Sequence, residues 1–562
     1  MGAGLLGVGE VPELVRGFEV LAEALDGPEK LRDLVLSLAI RGKLVPQDGR
    51  EEPASVLLKR VAAELARLGN ARRAKLLAAQ EASTSELWDD IPSGWAMSNL
   101  HDVGVINPRN QAEDDAIVGF VPMAVVPTDY RTALQAEERD WKSIKTGYTH
   151  VADGDLVVAK ITPCFQNAKS CIVAGLRNGL GAGTTELLVC RPVPHGVDAK
   201  FLLIFCKTPE FLSGGVATMT GTAGQQRVAL DYFRFRPLPV PPLAEQRRIV
   251  ARVDELMALI DQFEAARTQR EAERTAARDA CLAKLCAAAN PDEVTTAWST
   301  VASHFDTLFT SPDDIAPLRQ SILQLAVRGK LVRQRASEEA ASALLARIGG
   351  KTTTFPDDSL PPIPVGWATC RFGDLLSRIQ AGWSPSCSDR PKEGEEYGVL
   401  KVSACSWGKF LADENKALPA RSEVPPGIEV RAGDFLISRA NTVELVARSV
   451  VVGECPDKLL LSDKTLRLTP LQGLNAHFLN LANLGPDSRR HYEAEASGTS
   501  ASMRNVSQEV IRALPLLLPP KLEQDRIVAR VDELMTLCDQ LESRVTAARD
   551  AAADFASAAV AG

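Results

Sequence analysis

LRQSILQLAVRGKLV, residues 318–332, rewrites LRDLVLSLAIRGKLV, residues 31–45. Four more pairs follow in the same order. IPSGWA (91–96) matches IPVGWA (363–368), and DGDLVVAK (153–160) resembles AGDFLISR (432–439). GTAGQQRV (221–228) shares its Gly-Thr opening and an arginine with GTSASMRNV (498–506). PLPVPPLAEQRRIVARVDELM (237–257) matches PLLLPPKLEQDRIVARVDELM (515–535). A solenoid would repeat about every 20–50 residues, so this is a large unit written twice. Each copy has a short helix ending in Arg-Gly-Lys, a filling that opens at Pro-x-Gly-Trp, and a long helix after Pro-Pro. The helical frame is nearly identical between copies, and the fillings share only short markers. The frame has one job done twice; the fillings have two jobs.

Gly42 and Gly329 follow apolar helical runs, where a left-handed residue ends a helix. Arg41 and Arg328 then sit near the negative helix end. After Pro241-Pro242 the chain runs without Gly or Pro to Asn290, and proline ahead of the first turn suits a helix start. Ile249, Val253, Leu256, Ile260 and Phe263 step by a heptad pattern, and Ile527, Val531, Leu534, Cys538 and Leu541 do the same. This reads as a coiled-coil seam. The same period also describes an amphipathic helix lying on its own domain. Length and Ala/Arg/Glu content favour a rod, about 60 Å long for forty residues at about 1.5 Å each. The simplest partner for each rod is the other, packed antiparallel with pseudo-twofold symmetry.

The fillings read as α/β mixtures. GDLVVAKI, TELLVCRP, GDFLISRA and ARSVVVGE are strand-like, and DAKFLLIFCKTPEFLSGG reads as a helix. Polar loops, TGTAGQQRVA and SGTSASMRNV, precede the long helix in both copies. Gly, Ser and Thr can meet phosphates, and Gln, Asn and Arg can read base edges. The loop candidates are Thr222, Gln225, Gln226 and Arg227, with Thr499, Ser502, Arg504 and Asn505. Lys160 and Arg439, at matched strand ends, are candidates for phosphate or base contacts. The plain alternative for all of them is a solvated loop with surface charge. Trp383, Ser384 and Trp407 are weaker candidates, with core packing expected for the tryptophans.

Length, 562 residues, fits three or four domains or one duplicated assembly. Hydrophobic content of 45% and charged content of 24% are those of a globular protein. No apolar run is long enough for a membrane span. The opening MGAGLLGVGEVPELVRGFEV has no cationic stretch before an apolar core and is unlike a secretory signal. The 11 cysteines are scattered, with no C-x-x-C pair, so neither a zinc site nor a disulfide framework is expected, and the reducing cytoplasm is. A net charge of −8 argues against indiscriminate nucleic-acid binding by the whole chain but leaves room for a local basic groove.

Catalytic motifs do not emerge. IGGKTT (348–353) ends like a phosphate-binding loop, but Leu345 stands where the first glycine is needed. The six histidines form no ligand pair. There is no G-x-S-x-G elbow. GLGAGTTE (179–186) leads into a strand-like run where a dinucleotide fingerprint needs a helix. No Asn-Pro-Pro-aromatic tetrapeptide of amino-methyltransferases is present. A binding scaffold is the simpler reading.

The whole arrangement resembles the specificity subunit of type I restriction-modification systems. The Pro-Pro-x-x-Glu-Gln-x-x-Ile-Val junctions, GTAGQQRV and GLGAGTTELLV carry the resemblance. It implies an α+β fold: two α/β target-recognition domains (91–243 and 346–518) joined by two long antiparallel coiled-coil helices in a pseudo-twofold repeat. Helical regions at 1–90, 244–345 and 519–562 would form the frame, the first closing a circular arrangement with the last. The resemblance further implies a non-catalytic subunit that binds double-stranded DNA at a bipartite site. Two modification subunits would bring S-adenosylmethionine and methylate adenine, and restriction subunits would bring ATP and Mg. This chain would bind no cofactor itself. The second unit departs from the pattern, because GTSASMRNV lacks the Gln-Gln pair and LLLSDKTLRL replaces GTTELLV. Two rivals are a specificity subunit of a related methylase–nuclease system and a coiled-coil interaction scaffold.

Overall fold

Each Arg-Gly-Lys sequence closes its helix through the glycine. Helix Gly27–Ile40 is followed by Gly42 at φ +67°, and helix Ile315–Val327 by Gly329 at φ +66°. The Lys43 N–H donates to Leu38 O at 3.0 Å and the Lys330 N–H to Leu325 O at 2.9 Å, the long bond of a Schellman stop. A side chain at either glycine has no room as well as the wrong φ. A Cβ on Gly42 would lie 2.4 Å from Pro92 Cγ, and one on Gly329 2.6 Å from Pro364 Cγ. The helix stop and the Pro-x-Gly-Trp turn are therefore one joint.

The long helix enters the same joint. Gln246 donates to Pro241 O at 2.8 Å and accepts from Asp198 N at 2.8 Å. Gln524 does the same with Pro519 O at 2.9 Å and Asn475 N at 3.0 Å. Glu523 accepts from the Trp367 indole at 3.0 Å and from Gln334 at 3.1 Å. These glutamines, Glu523 and its counterpart Glu245 are all buried, and burial pushes both glutamate carboxyls above their ordinary range. Arg248 pairs with Glu51, and Arg526 with Glu338. Arg41 and Arg328 do more than sit near a helix end. Each binds a carboxylate in the first turn of a neighbouring helix, Glu210 at 2.8 Å and Asp487 at 3.1 Å.

The computed structural model describes residues 27–68, 91–222, 224–356, 360–405, 408–500 and 503–561. Two units are distinguished: residues up to Gln269 together with Ala552–Gly562, and Arg270–Ala551. In the first unit an antiparallel sheet runs in the order Gly104–Ile106, Leu187–Pro192, Leu156–Ala159, Ser170–Ile172. A second sheet runs Glu137–Asp140, Ile117–Val121, Leu180–Gly183, Thr149–Ala152, its middle pair parallel. In the second unit the antiparallel order is Leu376–Ala381, Thr465–Pro470, Phe435–Ser438, Ser449–Val451. Its companion sheet is Asn415–Ala417, Gly398–Leu400, Leu459–Leu460, again with one parallel pair. Ala96–Ser98 pairs with Leu238–Val240, and Ala368–Arg371 with Pro515–Leu518. Each ladder joins the two ends of a filling at the base of its long helix. All four strand-like runs read from the sequence are strands.

Two expectations change. DAKFLLIFCKTPEFLSGG is two helices, Ala199–Lys207 and Pro209–Ala217. Pro209 has no N–H to continue the first, and the Thr208 side chain caps the second through Phe211 N at 3.3 Å. The heptad residues are not spent on a rod-to-rod seam. Ile249, Val253 and Ile260 belong to one hydrophobic cluster with Leu31, Leu36 and Phe201 of their own unit. Ile527, Val531 and Cys538 likewise pack with Leu318, Ile322 and Phe478. A 3.5-residue period cannot separate a coiled coil from a helix laid on its own domain, and burial decides for the domain. The long helices themselves are continuous, 45 residues over Leu243–Ala287 and 41 over Lys521–Ala561.

Candidate nucleic-acid interface

In the first unit strand Leu156–Ala159 ends at Lys160. The Lys160 N–H donates to Glu186 O at 2.9 Å, and its carbonyl accepts from Val228 N at 2.9 Å. Glu186 and the 220–228 loop are thereby held on either side of one residue. The loop is a hairpin: Thr220 and Arg227 exchange both backbone bonds, at 3.1 and 2.9 Å. Gly221 at φ +125° makes its turn possible, since a Cβ there would also lie 2.9 Å from Gln225 O. Gln226 is fixed by Thr162, whose N–H donates to Gln226 O at 2.9 Å. Thr222, Gln225 and Arg227 are exposed and Gln226 is half-buried. Arg227 places Nε and Nη2 on the two Glu186 oxygens at 2.9 and 2.8 Å. That fork holds the Glu186 carboxyl below its usual range. The half-buried Lys160 ammonium has no hydrogen-bond or ion-pair partner among the described residues.

The second unit repeats the backbone. The Arg439 N–H donates to Lys464 O at 2.9 Å, and its carbonyl accepts from Val506 N at 2.9 Å. Ser497 pairs with Asn505, and Gly498 has φ +124°. Ala440 and Asn441 pair with Asn505 and Arg504. Arg439, also half-buried, makes no side-chain hydrogen bond or ion pair among the described residues, and its charge acts on the Glu509 carboxylate. The register corrects one equivalence suggested by sequence. Arg504 sits where the first unit has Gln226, and Asn505 sits where it has Arg227, because the second loop is one residue longer. Arg504 turns back onto Gly498 O at 2.8 Å and Ala496 O at 3.3 Å.

No family model matches the chain. The EcoEI type I restriction enzyme specificity subunit of Escherichia coli is 39% identical over 557 residues, spanning 95% of this chain and 93% of the relative. The EcoAI type I restriction enzyme specificity subunit of Escherichia coli is 35% identical over 570 residues, with the same coverage of 95% and 93%. The chain belongs to the specificity subunits of type I restriction enzymes. Recognition of DNA is its role at the level of that family. A solved chain from work on complex assembly and conformational transition of the type I R-M system shares the fold. It has a TM-score of 0.50 at 18% identity and covers 84% of this subunit and 97% of its own length.

The structure thus brings each sequence-predicted strand-end cation beside its predicted loop in this specificity subunit. Ser502 and Trp407 lie outside the described residues, as do residues 1–26 and 69–90 of the expected first helical region. Thr499 lies on strand Ser497–Ser500. Trp383 packs against the cluster of Leu400, Leu436 and Leu460, a structural role. Sequence reasoning missed Glu186 and Lys464. Their signal was the position after a glycine- or serine-led turn, just before the strand that pairs with the Lys160 and Arg439 strands. Among the described residues no group of His, Cys, Asp and Glu could hold a metal, and no helix is long and apolar enough to cross a membrane.

Proposed function

We propose that this specificity subunit reads a bipartite, non-palindromic DNA site, one half with each unit, through the edge made by a strand-end cation and its hairpin. The supporting observation is the matched pair Lys160 and Arg439: two half-buried cations that make no side-chain hydrogen bond or ion pair among the described residues, at one register in two units. A cation that makes no such bond beside a polar hairpin is suited to a phosphate oxygen or a base acceptor. The regions 91–243 and 346–518 serve as target-recognition domains, and Thr222, Gln225, Gln226, Thr499, Ser502, Arg504 and Asn505 as contacts. The helical regions 1–90, 244–345 and 519–562 hold the domains, with the exposed lengths of the two long helices lying antiparallel as the ruler between half-sites.

The subunit does no chemistry in this reading. It docks two modification subunits, which carry S-adenosylmethionine, and works with restriction subunits that use ATP and Mg, in the cytoplasm. The test is binding by the complex with its modification subunits across a salt series. Lys160→Ala and Arg439→Ala should each weaken binding about tenfold and lower the slope of log K against log salt by about 0.9. Unchanged affinity and slope in both variants would contradict the edge assignment.

A further inference from the structure

The Glu186–Arg227 fork is built to aim rather than to hold. An arginine has five N–H donors. Arg227 uses three: Nε and Nη2 on Glu186, and Nη1 on Gln225 O at 3.1 Å. One donor is left on Nη1 and one on Nη2. The arginine side chain is 44% exposed and the glutamate 23%, so those two donors can be reached from outside. An ion pair this exposed adds little stability. What a two-point fork does supply is a fixed plane and direction for the guanidinium.

The charge of the pair narrows the occupant. Glu186 cancels Arg227, and a carboxylate beside a phosphate is repelled, so the pair makes a poor backbone clamp. The two remaining donors, one on each Nη of a charge-balanced, oriented guanidinium, suit the O6 and N7 acceptors that guanine presents in the major groove. We infer that Arg227 reads a guanine in one half-site and that Glu186 is the positioning residue that presents it. This rests on the reading that the hairpin edge faces DNA. The second unit has Asn505 and Lys464 at the two equivalent positions, so the device belongs to one half-site only.

The assembled methyltransferase, this chain with its modification subunits, supplies the test. Sequencing of methylated adenines gives the wild-type motif. Each guanine of both halves is then replaced in turn by 7-deazaguanine, which pairs normally but lacks N7. In the wild-type complex at least one position, in one half only, should weaken binding roughly tenfold or more. In Arg227→Lys and in Glu186→Gln that penalty should disappear, because the base is no longer read, while thermal unfolding matches wild type. Lys160→Ala, which leaves the fork intact, should keep the penalty. No sensitive guanine, or a penalty that survives in both fork variants, overturns the inference. If that happens while Lys160→Ala and Arg439→Ala still weaken binding, only the guanine assignment fails. If those two variants also bind normally, the edge itself is misplaced.

Discussion

At the register position where the first unit has Glu186 facing Arg227, the second has Lys464 and Asn505. The backbone around both is the same, bond for bond: strand-end cation, flanking carbonyl, hairpin valine. Lys160, Glu186, Gln226 and Arg227 together carry one positive charge, and Arg439, Lys464, Arg504 and Asn505 carry three. Duplication has kept the geometry that presents side chains and changed the side chains presented. The frame behaves in the opposite way. Arg32 binds Asp261 and Glu264 at 2.9 and 2.6 Å, and Arg319 binds Asp539 and Glu542 at 2.6 and 2.8 Å, the same network in each unit. Divergence lies in the fillings, the edge included, and not in the frame.

That contrast can be broken in several places. The double variant Lys160→Glu and Arg439→Glu should lower DNA affinity about a hundredfold, measured by titration at fixed salt, since it reverses both strand-end charges. Next in size are Gly42→Ala and Gly329→Ala. Each forces a side chain into a left-handed residue against a proline ring and should cost about 1–3 kcal/mol. Hydrogen exchange over 31–45 and 318–332 should report equal losses; a large loss at only one would separate the two joints.

Grafting the fork, with Lys464→Glu and Asn505→Arg, should change the preferred bases of the second half-site and lower affinity for the original motif roughly tenfold. An unaltered motif would mean the two positions are not equivalent. Lys464→Gln alone should lower the salt slope by about 0.9 if that ammonium meets a phosphate.

The smallest effect concerns the buried carboxylates. Glu245 and Glu523 have folded-state values raised by burial, so their neutral forms favour the fold at low pH and that benefit is lost as pH rises through the raised value. Glu245→Gln and Glu523→Gln should therefore be more stable than wild type at pH 8, with the gap closing as pH falls into the ordinary carboxylate range. The two gaps should be similar, because the joints are.

The frame was legible because each of its letters answers a backbone demand. Gly42 and Gly329 need a left-handed φ, Pro241-Pro242 and Pro519-Pro520 open a helix, and Gln246 and Gln524 cap the carbonyl just before it. Such demands act over a few residues and show in the text. Pro209 is equally local: a threonine and a proline inside an apolar run mark a helix boundary. The Glu186–Arg227 fork spans 41 positions, and nothing in the local pattern of either residue announces it. The extra residue that moves Arg504 to the register of Gln226 could be located only by the hairpin pairing. The heptad pattern of Ile249 to Phe263 was legible as a periodic face, but what covers a face is a tertiary fact.

The central claim is that the two units read different halves of one site through equivalent edges. Sequencing of methylated adenines in cells carrying wild type, Arg227→Ala or Asn505→Ala tests it most directly. The account predicts that each variant relaxes the motif in one half only, and that the two variants relax different halves. Relaxation of the same half by both, or an unchanged motif in both, would contradict it.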